Sequence, residues 1–118
     1  MLEKMRKNKY NAVKTKIDGI TFDSKLEAKR YGELRLLECA GKISYLTVHR
    51  RWPLYSQLAG VAIDSRDALV GHYESDFNYR ENDSLVVEDC KGVVTDLSAR
   101  KIKHFEIQHG YKVRIIRK

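Results

Sequence analysis

The stretch Tyr73-Glu-Ser-Asp-Phe-Asn-Tyr-Arg-Glu-Asn-Asp-Ser-Leu-Val-Val-Glu-Asp-Cys-Lys91 predicts a β-hairpin. If Glu81–Ser84 form the turn, counting outward along both strands places Asp76 opposite Asp89. Opposed residues share one face of the sheet, and their Cβ atoms lie about 5 Å apart. Two like charges in that position destabilise a bare sheet, so the arrangement favours a site where a cation lies between them.

Three neighbours of this predicted pair refine the hypothesis of a metal site. Lys91 follows Asp89 by two residues and should point to the same side, whereas Glu88 and Cys90 should point to the other. Magnesium fits a pair of carboxylates because it is a hard ion with oxygen ligands. The alternative is a surface hairpin with ordinary charges on its wet face. The apolar residues around the charges in Leu85–Val94 instead predict a central strand, where charge is costly unless it is paired or bound to metal.

Strict alternation in the first strand predicts that four residues share one face: Tyr73, Ser75, Phe77 and Tyr79. Their neighbours Glu74, Asp76 and Asn78 would then lie on the other.

The remaining patterns predict an α/β fold with a mixed central sheet flanked by helices. Asp18-Gly19 predicts a two-residue hairpin turn, and helices are expected over residues 24–40 and 95–109, each followed by a glycine. The first helix begins with Ser24-Lys-Leu-Glu27, the pattern of a capping box. Extended pieces are predicted at residues 43–48, 52–58 and 111–116, and residues 57–72 suggest a strand end and a loop.

Composition and charge limit the functions of the chain. Its 118 residues fit one domain, which we place at residues 10–118 after a basic arm at residues 1–9. The net charge of +7 favours a polyanionic partner, and nucleic acid is the first expectation. No stretch approaches the roughly 20 apolar residues of a membrane-spanning helix, and the N-terminus lacks the apolar core of a secretion signal. Cys39 and Cys90 are expected to be free thiols in a cytoplasmic protein.

The chain resembles the PD-(D/E)XK nucleases, because Asp76 and Asp89-Cys90-Lys91 match their motif and Glu27 adds an acid on an upstream helix. Four segments resemble small phage-borne proteins of this superfamily: Lys9-Tyr-Asn-Ala12, Phe22-Asp-Ser-Lys-Leu-Glu-Ala-Lys-Arg-Tyr31, Tyr73-Glu-Ser-Asp-Phe77 and Val87-Glu-Asp-Cys-Lys-Gly92. The resemblance runs from about Lys9 to the end of the chain. One departure is His49-Arg-Arg-Trp52, where such sequences often carry Gln-Pro-type residues.

This resemblance implies a restriction-endonuclease-like core and Mg²⁺-dependent cleavage of DNA in the cytoplasm, of the host if a phage encodes the chain. Asp76 and Asp89 would bind the metal, and Glu27 would complete the site directly or through water. The Cys90 carbonyl could contribute as well, and Mn²⁺ is expected to substitute for Mg²⁺. Lys91 would orient the attacking water and stabilise charge that grows on the phosphate.

The resemblance also suggests a substrate, namely branched DNA such as a Holliday junction cut by a homodimer. A nicking nuclease, a sequence-specific nuclease and a non-catalytic DNA-binding accessory protein are the alternatives. Five lysines are candidates for contacts with DNA phosphates: Lys7, Lys9, Lys14, Lys101 and Lys103. The four histidines show no zinc-type spacing.

Overall fold

The computed structural model describes residues 14–56 and 68–117, which form two helices and six strands. In chain order these are β1 Thr15–Ile17, β2 Ile20–Phe22, α1 Lys25–Cys39, β3 Ser44–Tyr55, β4 Leu69–Glu81, β5 Ser84–Cys90, α2 Asp96–His109 and β6 Val113–Ile116. Neither helix has the length and apolar character needed to cross a membrane. The expected basic arm, with Lys7 and Lys9, lies outside the described residues.

A four-stranded mixed sheet in the order β3-β4-β5-β6 forms the centre of the fold. Strand β4 pairs antiparallel with both β3 and β5, whereas β6 pairs parallel with β5. The prediction of an α/β fold with a mixed sheet and flanking helices is therefore confirmed. Strand β5 pairs on both sides, which also confirms its prediction as a central strand.

The β4–β5 hairpin has the predicted register. Arg80 pairs with Leu85, and the pairing continues outward as far as Phe77 opposite Glu88, so Asp76 and Asp89 come next on the two strands. The turn residues Asn82 and Asp83 have φ values of 51° and 65°. Left-handed conformations at both positions suit a two-residue loop whose twist matches that of the strands.

Two hydrophobic clusters hold the helices to the sheet. The α1 cluster comprises Phe22, Ala28, Tyr31, Leu34, Ile43, Phe77 and Tyr79. The α2 cluster comprises Trp52, Leu54, Tyr73, Val87 and Phe105. Burial of one large apolar side chain contributes about 1.5–3 kcal/mol to the stability of the fold. The two clusters therefore hold both helices firmly against the sheet.

The predicted alternation along β4 is wrong. Tyr73 belongs to the α2 cluster, whereas Phe77 and Tyr79 belong to the α1 cluster. Ser75 accepts a hydrogen bond from Asn78, a contact between residues that strict alternation would place on opposite faces. The side chains of β4 depart from strict alternation beside His49 of β3. The φ of 56° at His49 interrupts the regular pleat of that neighbouring strand.

Strand β3 also differs from its prediction, because residues 44–55 form one strand instead of two separate pieces. Its register with β4 shifts between Ser44 and Thr47 and again between Leu54 and Tyr55. Pro53 is compatible with this strand because β3 lies at an edge of the sheet, where a missing amide hydrogen is tolerated. Strand β4 begins at Leu69, within the stretch expected to be a strand end and a loop.

Candidate metal centre

Side chains from four elements converge where β4 and β5 run beside the first turn of α1. Glu27 comes from α1, His49 from β3, Asp76 from β4 and Asp89 from β5. Glu27 and Asp89 are buried, and the other two are partly buried. The three acids predicted from the sequence are therefore close together, and with His49 they form what we call the acidic site.

The cap of α1 positions Glu27. Ser24 is the N-cap residue, and its Oγ accepts a hydrogen bond of 3.1 Å from the Glu27 amide. The Glu27 carboxylate does not complete the predicted capping box but lies 2.6 Å from Nε2 of His49. The sequence pattern thus indicated the start of the helix correctly, while the side chain that completes the pattern is directed into the acidic site.

Hydrogen bonds orient the two strand acids. Oδ2 of Asp76 accepts a hydrogen bond of 2.7 Å from the Cys90 amide across the hairpin. Oδ2 of Asp89 accepts one of 2.7 Å from the Tyr73 hydroxyl and lies 3.5 Å from Nζ of Lys91. Lys91 therefore lies on the same side as Asp89, as predicted. Cys90 contacts Asp76 through its amide, and its predicted role as a carbonyl ligand stays a prediction.

Burial and crowding make the acidic site unfavourable for a second negative charge. The pKa of Asp76 rises from 3.8 to about 9, first because burial removes water, then because of a hydrogen bond and charge repulsion from Asp89 and repulsion from Glu27. Burial also raises the pKa of Glu27, although the contact with His49 opposes the change. A bound cation would offset both effects, since it stabilises the charged carboxylates.

The donor atoms of Glu27, His49 and Asp76 all lie within 4.8 Å of one another. Two carboxylates and one imidazole form a donor set that divalent metal ions accept, so these residues fit such an ion. Asp89 is adjacent through its hydrogen bond with Asp76. Burial, together with repulsion from the neighbouring acids, raises the pKa of the Cys90 thiol, and Cys90 does not belong to the set of three donors.

Sequence analysis missed His49. The four histidines lack zinc-type spacing in the sequence, and His49 reaches the site through strand pairing. Val48 pairs with Phe77 and Arg50 with Ser75, which leaves His49 opposite Asp76. One weak indication that this segment differs was present in the sequence. His49-Arg-Arg-Trp52 stands where similar sequences often carry Gln-Pro-type residues.

Glu88 takes part in a separate ionic network on the α1 side of the sheet, as its position next to Asp89 requires. Arg30 donates two hydrogen bonds to the Glu88 carboxylate, with distances of 2.8 Å and 2.7 Å. The Tyr79 hydroxyl donates a third, and Nη1 of Arg114 lies 3.8 Å away. With these partners Glu88 is satisfied as a buried structural acid.

A basic cleft of about 350 Å³ lies on the α2 side, next to the acidic site. It is lined by Arg51, His72, Tyr73, Glu74, Lys91, Ser98 and Lys101. Lys91 belongs to both the cleft and the acidic site, so the two adjoin at this residue. Of the other predicted phosphate contacts, Lys14 and Lys103 are exposed but do not line this cleft.

Comparison with known proteins gives one result. No curated protein and no solved structure matches the chain. A family model described as a protein of unknown function, DUF1064, matches residues 7–117. Because this match covers nearly the whole sequence, the chain belongs to the DUF1064 family.

Proposed function

We propose that this protein is a metal-dependent DNA endonuclease whose sheet and helices form a restriction-endonuclease-like core of the PD-(D/E)XK type. The observation that carries the proposal is the convergence of Asp76, Asp89, Glu27 and Lys91 at one partly buried site. Buried like charges are costly and cluster at functional sites. The ion pair of Arg30 with Glu88 belongs to the other face of the sheet and is separate from these acids.

The residues of the site would divide the work of phosphodiester hydrolysis. Asp76 and Glu27 would hold a divalent cation, Mg²⁺ or Mn²⁺, with Asp89 beside them. Such a cation, when bound, polarises a phosphoryl oxygen and favours ionisation of water. Lys91, which is 3.5 Å from Asp89, would place its ammonium group against the phosphate and stabilise the charge that develops in the transition state.

The basic cleft supports nucleic acid as the substrate. Arg51, Lys91 and Lys101 offer three cations along one cleft, and the whole chain carries a net charge of +7. We propose branched DNA, such as a four-way junction, as the preferred substrate and a homodimer as the active form in the cytoplasm. This finer assignment rests on the resemblance of the sequence to phage-borne nucleases.

A cleavage assay tests the proposal. The purified protein is incubated with linear duplex, single-stranded, flap and four-way DNA, with Mg²⁺, with Mn²⁺ and with a chelator. We expect cuts that require the metal, and we expect Asp76→Asn to abolish them. Asp83→Asn is the matched control, because it makes the same change at the exposed turn of the same hairpin, where asparagine tolerates the left-handed backbone. DNA binding without metal-dependent cleavage would identify a DNA-binding accessory protein instead.

The cleft and the acidic site should respond differently to the loss of a lysine. Lys91→Ala should lower kcat by about 100-fold or more with a smaller change in KM, because its contact is strongest in the transition state. Lys101→Ala should mainly raise KM and reduce the salt dependence of DNA binding by about one unit. Steady-state kinetics and binding at several salt concentrations separate the two effects. Equal losses of binding and rate in Lys91→Ala would make it a phosphate anchor.

A further inference from the structure

His49 completes a set of three donor atoms with Glu27 and Asp76, all within 4.8 Å of one another. We propose that His49 is a ligand of the metal and that its nitrogen makes the site select a first-row transition-metal ion over Mg²⁺. The inference rests on the proposed metal site and specifies which ion this site takes.

The chemistry of the donors carries this selectivity. Mg²⁺ prefers oxygen ligands in a regular octahedron and gives up its water reluctantly. An imidazole nitrogen favours transition-metal ions, whose affinities for nitrogen and oxygen donors rise from Mn²⁺ through Co²⁺ and Ni²⁺. A site built from carboxylates alone favours these ions less strongly, because oxygen ligands suit Mg²⁺ and Mn²⁺ alike. The imidazole nitrogen of His49 would therefore shift the preference of the site further toward the transition-metal ions.

The position of His49 in the sheet supports a role as ligand. It lies opposite Asp76 on the adjacent strand and has a φ of 56°, in the left-handed region that histidine adopts more readily than most residues. Its ring lies 5.8 Å from that of buried Phe22, which limits the orientations available to the imidazole. Nε2 is 2.6 Å from Glu27, on the side where the Asp76 carboxylate also lies.

A simple ion pair between His49 and Glu27 explains only part of this geometry. Such a pair needs two groups, whereas here a third donor, from another strand, lies within reach of both. The two carboxylates come from separate elements, α1 and β4, and His49 from a third. Three donors that approach one point from three elements are typical of a metal site.

Metal binding without DNA tests the proposal. Binding of Mn²⁺ is followed by the loss of the electron paramagnetic resonance signal of the free ion, and Mg²⁺ is added as a competitor. We expect Mn²⁺ to bind at least about tenfold more tightly than Mg²⁺. Because oxygen ligands also suit Mn²⁺, the part of this preference that disappears when the imidazole is removed identifies the contribution of His49.

The variant His49→Asn should weaken Mn²⁺ binding by at least about tenfold, since even the loss of a residue that only supports a ligand costs 10–100-fold. Its Mg²⁺ affinity should change much less. His104→Gln is the control for loss of an imidazole, because His104 contacts the Tyr55 carbonyl and lies outside the donor set. Mn²⁺ binding that is unchanged in His49→Asn, or equal losses for the two ions, would overturn the proposal.

A direct measurement on the unaltered protein protects the test against a variant that fails to fold. Mn²⁺ bound to His49 should show hyperfine coupling to an imidazole nitrogen, and its absence in the bound complex refutes the ligand role. The result is also distinct from the proposed function. Nitrogen coupling without DNA cleavage would support His49 as a ligand and reject the nuclease, whereas metal-dependent cleavage without such coupling would support the nuclease and reject His49 as a ligand.

Discussion

Two adjacent buried acids, Glu88 and Asp89, have different roles because a strand directs successive side chains to opposite faces. Glu88 is fully buried and receives two hydrogen bonds from Arg30. Asp89 lies in the acidic site, with the Tyr73 hydroxyl and Lys91 as partners. The first acid stabilises the packing of α1 against the sheet, and the second belongs to the proposed chemistry.

The variants Glu88→Gln and Asp89→Asn should therefore separate stability from activity. Glu88→Gln removes the charge of the buried partner of half-buried Arg30, which keeps its contact with Glu33, and we expect a loss of about 2 kcal/mol in the free energy of unfolding. The folded fraction should still bind metal. Asp89→Asn should abolish cleavage with a smaller loss of stability, because an amide oxygen can still accept the hydrogen bond from Tyr73. Denaturant unfolding and cleavage are measured on both.

The opposite ranking, with activity lost in Glu88→Gln and retained in Asp89→Asn, would show that the two side chains exchange faces. A register slip of one residue in the hairpin produces that exchange.

Each helix begins at a side-chain cap, but the two caps differ in whether they contact a residue of the donor set. Ser24 accepts a hydrogen bond from the amide of Glu27 itself. Thr95 caps α2 and forms a complete capping box with Ser98, which does not belong to the donor set. The two caps are chemically alike, which makes them a matched pair for experiment.

Ser24→Ala and Thr95→Ala should each lower the free energy of unfolding by about 1 kcal/mol. Only Ser24→Ala should also weaken binding of Mn²⁺, because it frees the first turn of α1 and so the position of the Glu27 carboxylate. Thermal unfolding and metal titration of both variants check this. An equal effect of both caps on metal affinity would show that general stability, and not the placement of Glu27, controls binding.

The elements that sequence analysis predicted well depend on local chemistry. The register of β4 with β5 follows from a two-residue turn at Asn82 and Asp83, so the approach of Asp76 to Asp89 could be derived by counting. Both helix starts were marked by Ser24 and Thr95, and Gly110 ends α2 in the left-handed conformation that its lack of a Cβ allows.

The features that were missed depend on pairing between distant segments. The register of β3 with β4 is set by two irregularities and by the left-handed His49. Gly71 lies beside the second irregularity, opposite Leu54, but no glycine marks the first irregularity or the position of His49. A strict period of two therefore failed for Tyr73 and Phe77, which pack in different clusters. For the same reason the position of His49 opposite Asp76 could not be derived by counting along the strands.

At the scale of the whole molecule, the acidic site opposes folding when no cation is bound. Burial and the neighbouring acids raise the pKa of Asp76 from 3.8 to about 9, so the folded protein holds a proton there that the unfolded chain releases. When Asp76 is protonated, the folded protein does not bear the cost of a buried charge. The free energy of unfolding is therefore highest below the pKa of Asp76 in the unfolded chain, and it falls as the pH rises to the pKa in the folded protein. Glu27, whose pKa is also raised, contributes in the same direction.

We therefore expect the free energy of unfolding, measured by denaturant titration in a chelator, to contain a component that falls as the pH rises from about 4 to about 9. Asp76→Asn should remove most of this component, because the amide does not titrate, while Asp83→Asn at the exposed turn should preserve it. A divalent cation should reverse the trend at high pH, since it binds the ionised carboxylates of the folded state only. If Asp76→Asn and the unaltered protein have the same pH dependence, Asp76 is already ionised in the folded protein at neutral pH, and the site is less desolvated than its burial indicates.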